Sequence, residues 1–127
     1  MHGFGSSGCV YYRVIRNLKR YFRVTTFDFL GQGCSGRPKI NLENGQQYVD
    51  FILYSTEAWM KATSYDSKPY YLFGHSLGAY FAALYAIKSP KNIQKVILMS
   101  PIGIPSRPDD WDEKELEDDQ NWEDIIS

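Results

Sequence analysis

One serine of the chain lies between two glycines, where its hydroxyl could act as a nucleophile. Ser76 belongs to the run Gly-His-Ser-Leu-Gly, which follows an aromatic and aliphatic run and precedes a helix-like segment. A serine hydroxyl becomes an effective nucleophile when a base takes its proton and N–H donors stabilise the developing oxyanion. Gly74 and Gly78 leave room for a sharp turn that raises Ser76 at the end of a strand. The spacing predicts a nucleophile; the alternative is a polar residue that only begins a helix.

A second motif, His-Gly-Phe-Gly at residues 2–5, precedes Ser76 by one helix, one strand and one further helix. The start of the helix after Ser76 and the backbone of such an earlier loop each offer N–H groups to an oxyanion. Because Gly-x-Ser-x-Gly alone occurs by chance, the interpretation of Ser76 as a nucleophile depends on this second motif and on the strand–turn–helix context.

The elements around these motifs alternate between helix and strand. Apolar Val10, Val14 and Leu18 recur every four residues among basic ones, which predicts an amphipathic first helix. β-branched and aromatic runs bounded by turn residues predict strands, which we expect to be buried on both faces. The predicted order is a helix in 9–21, a strand at 22–29, a helix from Asn44 to about Ser64, a strand at 69–74, a helix in 76–90 and a strand at 94–100. About three helices and three strands in alternation predict an α/β fold, a parallel sheet with helices on both faces.

Length and composition exclude several classes of protein. The 127 residues are 43% hydrophobic and 23% charged, which fits one small globular domain or part of a larger one. The sequence has no apolar run of about 18 residues and no secretory signal at its start. Cys9 and Cys34 form no CxxC pair and have no histidine cluster nearby, which argues against a zinc site and a disulfide scaffold. We therefore expect no metal or cofactor, and a reducing, cytoplasmic location.

The net charge of −1 conceals a division of the chain at about residue 108. Residues 109–124 hold ten of the 15 acidic residues, whereas the preceding body carries a net charge of +8. A basic body favours anionic substrates or a phospholipid surface; the alternative is ordinary solvated helix faces beside an acidic loop. The basic residues do not interleave with aromatic ones, so no nucleic-acid partner is expected. We divide the chain into a core at 1–108 and, at 109–127, an acidic start of a cap or lid or a disordered tail.

Three stretches together resemble the α/β-hydrolase superfamily over about residues 2–108. They are HGFG, FDFLGQGCSGRP, and GHSLGAYFAALYAIKSPKNIQKVILMSPIGIPSRP. The Pro-x-Gly-x-Pro-x-Arg-Pro ending is similar to the lipid-acting branch that contains abhydrolase-domain proteins four and five. The resemblance implies a serine acyl hydrolase acting on carboxylic esters, phospholipids or lysophospholipids, with a membrane or lipid-droplet surface as a candidate partner. Relatives leave two alternatives open: a non-catalytic lipase co-activator, and an acyl-CoA-dependent lysophosphatidate acyltransferase.

The resemblance also assigns roles to residues. Ser76 matches the nucleophile, and the N–H groups of Leu77 and Phe4 match the two oxyanion donors. His2 is expected to order the oxyanion loop, and Asp28 to organise the loop that follows it. Supporting positions in the turn and the loop are Gly3, Gly74, His75 and Gly78.

The rest of a catalytic triad is not evident in this sequence. In this fold the nucleophile, the acid and the histidine follow one another along the chain. No histidine follows Ser76, since the sequence contains only His2 and His75. We therefore expect the chain to be a piece of a hydrolase, inactive alone, with the triad acid and histidine outside these 127 residues.

Overall fold

The computed structural model describes residues 1–103, and within them the predicted α/β class is confirmed. The elements are a 3₁₀ helix at Gly8–Tyr11, α1 at Tyr12–Leu18, α2 at Gly45–Thr63, a 3₁₀ helix at Tyr65–Ser67, β1 at Tyr70–His75, α3 at Leu77–Lys88 and β2 at Ile93–Met99. The predicted domain boundary and the acidic segment at 109–127 lie outside the described residues. None of the described helices is long and apolar enough to span a bilayer.

The two strands form a parallel pair that α3 connects and covers. Phe73 lies opposite Ile97, and His75 lies opposite Met99. α3 is rich in small residues, so its backbone approaches the strands closely; Ala79 and Ala82 are fully buried. The pair therefore provides a rigid edge, at the carboxyl ends of both strands, from which the turn at Ser76 rises.

α2 follows local signals at both of its ends. Asn44 precedes the helix, and its side-chain oxygen accepts a hydrogen bond from the Gln47 N–H at 3.0 Å. Ser64 ends the helix in the left-handed conformation, with φ 58°. Between them, Ile52 and Met60 are buried. They join one cluster of buried side chains, which comprises Phe29, Ile52, Leu53, Met60, Leu72, Phe81, Ala82 and Tyr85.

The predicted strand at 22–29 is wrong for the described structure. These residues belong to no helix or strand, although Phe27 and Phe29 pack against the core. A strand requires a hydrogen-bonding partner as well as the right residue types. The Phe29 N–H instead donates to a side-chain nitrogen of His2 at 3.1 Å, so the local β preference is not realised as a ladder.

Two predicted apolar surfaces are also less buried than expected. β2 leaves Ile97 and Met99 49% and 43% exposed, so the expected burial on both faces does not hold for this strand. α1 has no buried residue, and Val14 and Leu18 on its predicted apolar face are exposed. Among residues 1–103, no element covers these surfaces.

Candidate active site

Ser76 occupies a strained turn between β1 and α3. Its backbone has φ 54° and ψ −122°, a region that serine rarely adopts. Hydrogen bonds hold the residue from both sides: its N–H donates to Met99 O at 3.0 Å, and its carbonyl accepts from Ala79 N and Tyr80 N at 3.0 and 3.2 Å. The strain is thus imposed by the sheet edge on one side and by the first turn of α3 on the other.

Two glycines allow the backbone to approach closely around this turn. A Cβ at Gly74 would collide with the backbone of Gly78 and Ala79, where α3 crosses the end of β1. A Cβ at Gly78 would collide with the carbonyl oxygens of Met1 and His2. Gly74 therefore sets the contact between strand and helix, and Gly78 sets the contact between α3 and the N-terminal loop.

The N-terminal loop lies along the edge of β1 opposite β2. The Met1 nitrogen donates to Phe73 O at 2.6 Å, and Met1 O accepts from His75 N at 3.2 Å. These bonds bring Gly3 against the turn: a Cβ built at Gly3 would lie 3.3 Å from Ser76 Cβ. The structure therefore brings the two sequence motifs together.

His2 joins the loop to the segment that carries Asp28. The side chain is fully buried; its Nδ1 lies 2.9 Å from Gly3 O, and its Nε2 accepts from Phe29 N at 3.1 Å. This network assigns the proton to Nδ1, which donates to the Gly3 carbonyl. Because both ring nitrogens are engaged, His2 is not available as a base for Ser76.

The two predicted oxyanion donors, Leu77 and Phe4, follow Ser76 and Gly3 directly in the sequence. Leu77 is the first residue of α3, so its N–H has no acceptor within the helix. Phe4 follows Gly3 in the loop, and its side chain is 82% exposed. Within residues 1–103, neither N–H donates to a protein acceptor. The roles of Phe4, Leu77 and half-buried His75 remain predictions.

Asp28 is the centre of the loop architecture. Its two carboxylate oxygens accept hydrogen bonds from Gly8 N at 2.6 Å and Cys34 N at 2.7 Å. The Ser35 hydroxyl donates to Asp28 O at 2.6 Å, and Gly33, at φ 51°, is packed against the carboxylate where no side chain would fit. The bond from the Cys34 N–H, followed by that from the Gly8 N–H, lowers the pKa of Asp28 below its ordinary value.

Replacing Asp28 by asparagine should remove an acid-sensitive part of the stability. A carboxyl with a lowered folded-state pKa stabilises the fold above its unfolded pKa of about 4, and this stabilisation is lost as the pH falls through the folded value. We expect Asp28→Asn to lower the free energy of unfolding at neutral pH by about 1–3 kcal/mol and to flatten its fall below about pH 4. Urea unfolding across this pH range measures both effects.

Asp50→Asn is the matched control, because the Asp50 carboxylate accepts only an exposed side-chain bond from Gln46 at 3.1 Å. The control should keep the acid dependence of the parent protein. An Asp28→Asn protein with the parent's stability at every pH would show that the two backbone bonds do not stabilise the fold.

A cleft of about 690 Å³ opens beside the N-terminal loop. Its wall includes Arg37 and Tyr48, neither of which the sequence analysis singled out. No local pattern marks these residues as part of a cleft, because the segments at 4–10 and 31–37 are brought together in the fold, where Asp28 accepts from Gly8 N and Cys34 N. Among residues 1–103, no three His, Cys, Asp or Glu side chains gather into a metal-binding group.

Comparison with known proteins assigns the chain to a family. A family model for the alpha/beta hydrolase fold matches residues 1–126, so the chain belongs to that family. The Homo sapiens protein named 1-acylglycerol-3-phosphate O-acyltransferase ABHD5 is 34% identical over 109 residues, 86% of this chain and 30% of that protein. A Bos taurus (Lyso)-N-acylphosphatidylethanolamine lipase is 34% identical over 110 residues, 87% of this chain and 31% of that protein.

A solved structure agrees with the fold. The crystal structure of Paleococcus ferrophilus monoacylglycerol lipase superposes with a TM-score of 0.60 at 26% identity, covering 86% of this chain and 40% of that one. The predicted resemblance to the lipid-acting branch is thereby confirmed, as is membership in a hydrolase family with esterase and lipase neighbours. The chain spans about a quarter to a third of the length of the curated relatives it matches.

Proposed function

We propose that Ser76 is the nucleophile of a serine acyl hydrolase that cleaves a lipid ester. The observation that supports the proposal is the strained backbone of Ser76, with the Gly3 loop packed against it. Strained residues of this kind concentrate at functional sites. Acyl transfer to a serine also requires N–H donors for the oxyanion, which we assign to Leu77 and Phe4, and a base.

The proposed reaction has two steps. Ser76 Oγ attacks the ester carbonyl and loses its proton to the base, while the Leu77 and Phe4 N–H groups hydrogen-bond to the oxyanion. The intermediate collapses to a Ser76 acyl ester and expels the alcohol, which takes up the proton; water then hydrolyses the acyl-enzyme and regenerates the hydroxyl. His2 is not the base, because both of its ring nitrogens are engaged, and no histidine follows Ser76 in this sequence. We therefore propose that the base comes from another part of the full-length protein.

A fluorophosphonate probe tests the nucleophile directly, because it phosphonylates an activated serine. We expect the full-length protein to be labelled and Ser76→Ala to be unlabelled. Equal labelling of the two proteins would overturn the assignment. A folded protein that takes up no label at all would favour the non-catalytic co-activator interpretation.

Acyl transfer is the second candidate, because the human relative carries an acyltransferase name. The same Ser76 acyl ester would then be attacked by the hydroxyl of a lysophosphatidate in place of water. Incubation with acyl-CoA and lysophosphatidate separates the two reactions by product: phosphatidate from transfer, and free fatty acid from hydrolysis. We propose hydrolysis as the main reaction, so fatty acid should predominate.

We further propose that the protein works in the cytoplasm at an anionic phospholipid surface, which it contacts through α1. The exposed cations Arg13 and Arg16 accompany exposed Val14 and Leu18 on this helix, and exposed Arg20 lies two residues after its end. The sequence contains no acidic residue before Asp28, so the segment is uniformly basic. Basic amphipathic helices bind anionic membrane surfaces through both kinds of side chain.

Binding to phosphatidylserine vesicles should therefore depend on salt and on these arginines. Each cation near the surface contributes about 1 kcal/mol, so replacing all three by serine should weaken partitioning about 100-fold at low ionic strength. Vesicle sedimentation measures the bound fraction. The matched control replaces three exposed lysines outside α1 by serine: Lys39, Lys68 and Lys91. If both triple variants lost binding equally, the assignment to α1 would be wrong.

A further inference from the structure

The cleft beside the N-terminal loop combines one cation with apolar walls. Its lining includes Phe4, Ser6, Val10, Gln32, Arg37 and Tyr48. No aspartate or glutamate lines it, so Arg37 is the charged group among its wall residues. A cleft with this lining favours an anion over a cation.

Arg37 is held in place by the loop on which it lies. Its Nη2 donates to Gly33 O at 2.9 Å, and its Nη1 lies 3.3 Å from Ser35 O. Gly33 and Ser35 are themselves fixed around Asp28, whose carboxylate is engaged by two backbone N–H groups. In the described part of the chain, Arg37 forms no salt bridge with a carboxylate.

The guanidinium group keeps donors for a ligand. It carries five N–H donors in a planar fork, and the two contacts with carbonyl oxygens leave most of them free. A fork of this kind matches the oxygens of a phosphate better than a single ammonium does. Because its orientation is already fixed, little side-chain freedom is lost when an anion binds.

The lining also includes apolar side chains from the N-terminal segment. Phe4 and Val10 are 82% and 53% exposed, so both side chains present apolar area to a ligand. Phe4 follows Gly3, whose Cβ position lies 3.3 Å from Ser76 Cβ. A molecule with an acyl chain and a nearby anion would thus contact Arg37 through the anion and Phe4 and Val10 through the chain.

We propose that Arg37 binds the phosphate of a glycerophosphate ester whose acyl chain lies against Phe4 and Val10. Arg37 is then a specificity residue that selects phosphorylated over neutral acyl glycerols. The link to catalysis rests on the proposed function of Ser76, whereas the binding preference does not.

Ether analogues of the proposed ligands test the preference for phosphate by binding alone, because they cannot be hydrolysed. A 1-O-alkyl-glycerol 3-phosphate and the matching 1-O-alkyl-glycerol contain no ester carbonyl, so neither is a substrate. Calorimetry with the full-length protein, below the micellar concentration, should give about 10–100-fold tighter binding of the phosphate ligand, in the range of charge-assisted hydrogen bonds. Arg37→Gln should abolish this preference, and Arg37→Lys should retain part of it.

Lys68→Gln, which removes an exposed cation outside the cleft and outside α1, is the control and should keep the preference. A preference unchanged in Arg37→Gln would overturn the proposal, as would equal binding of the two ligands by the parent protein. Thermal unfolding of Arg37→Gln and Arg37→Lys checks that both variants fold. Free coenzyme A forms a third arm: if it alone shows Arg37-dependent binding, the phosphate recognised is that of a thioester donor and the proposal is wrong. Fluorophosphonate labelling reports on Ser76 independently of all these arms.

Discussion

Replacing Ser76 by alanine should abolish covalent labelling and lower ester hydrolysis by at least about 10³-fold. Alanine has no oxygen with which to form the acyl ester, so the two-step route is closed. If the proposed oxyanion donors Leu77 and Phe4 are correct, any residual rate would come from their polarising a bound ester toward water. The comparison of kcat/KM between the full-length protein and the variant measures this loss.

A second variant, Ser76→Gly, separates an effect on catalysis from an effect on folding. The Ser76 dihedral angles are close to those of the first central residue of a type II′ turn, a position that glycine favours. Ser76→Gly should therefore raise the free energy of unfolding by about 1 kcal/mol while abolishing activity. Ser89→Ala, at the far end of α3, should change neither quantity. Activity retained in Ser76→Gly or in Ser76→Ala would assign the chemistry to another residue.

Replacing Gly74 by alanine should destabilise the fold severely. The new Cβ would overlap backbone atoms of Gly78 and Ala79, and a backbone cannot move aside as the end of a side chain can. Either β1 or the start of α3 would have to shift. We expect a loss of about 3 kcal/mol or more in the free energy of unfolding, which is a large part of the stability of a typical domain.

Gly45→Ala is the control for this substitution. Gly45 is the first residue of α2, has no neighbour within 4 Å of its Cβ position and does not have a positive φ. Alanine there should stabilise the protein by up to about 1 kcal/mol through helix propensity. Chemical unfolding followed by circular dichroism compares the two variants. Equal midpoints for Gly74→Ala and the parent protein would contradict the close approach of α3 to β1.

The elements that the sequence predicted correctly are those with local signals. The helix expected from Asn44 to about Ser64 appears at Gly45–Thr63, because a side-chain cap begins it and a left-handed residue ends it. The segment at 22–29 has equally strong β-forming residues but no ladder. Pairing is a property of two segments, and the composition of one of them does not predict it.

The same distinction applies to the candidate site. The turn at Ser76 could be predicted because its two glycines lie within two residues of the serine. The bonds between Met1 and the edge of β1 could not, since no residue type marks them. The placement of Arg37 likewise depends on the carbonyls of Gly33 and Ser35, which the fold arranges around Asp28.

The hydrogen bond from the Ser76 N–H to Met99 O also bears on the order of events during biosynthesis. The two partners lie 23 positions apart in the sequence, and β2 completes the parallel pairing only at Met99. While a nascent chain still has β2 inside the ribosomal tunnel, one of the bonds that hold the turn is missing, and the serine backbone can relax. The complete set of bonds around Ser76 is therefore formed only after synthesis has passed β2.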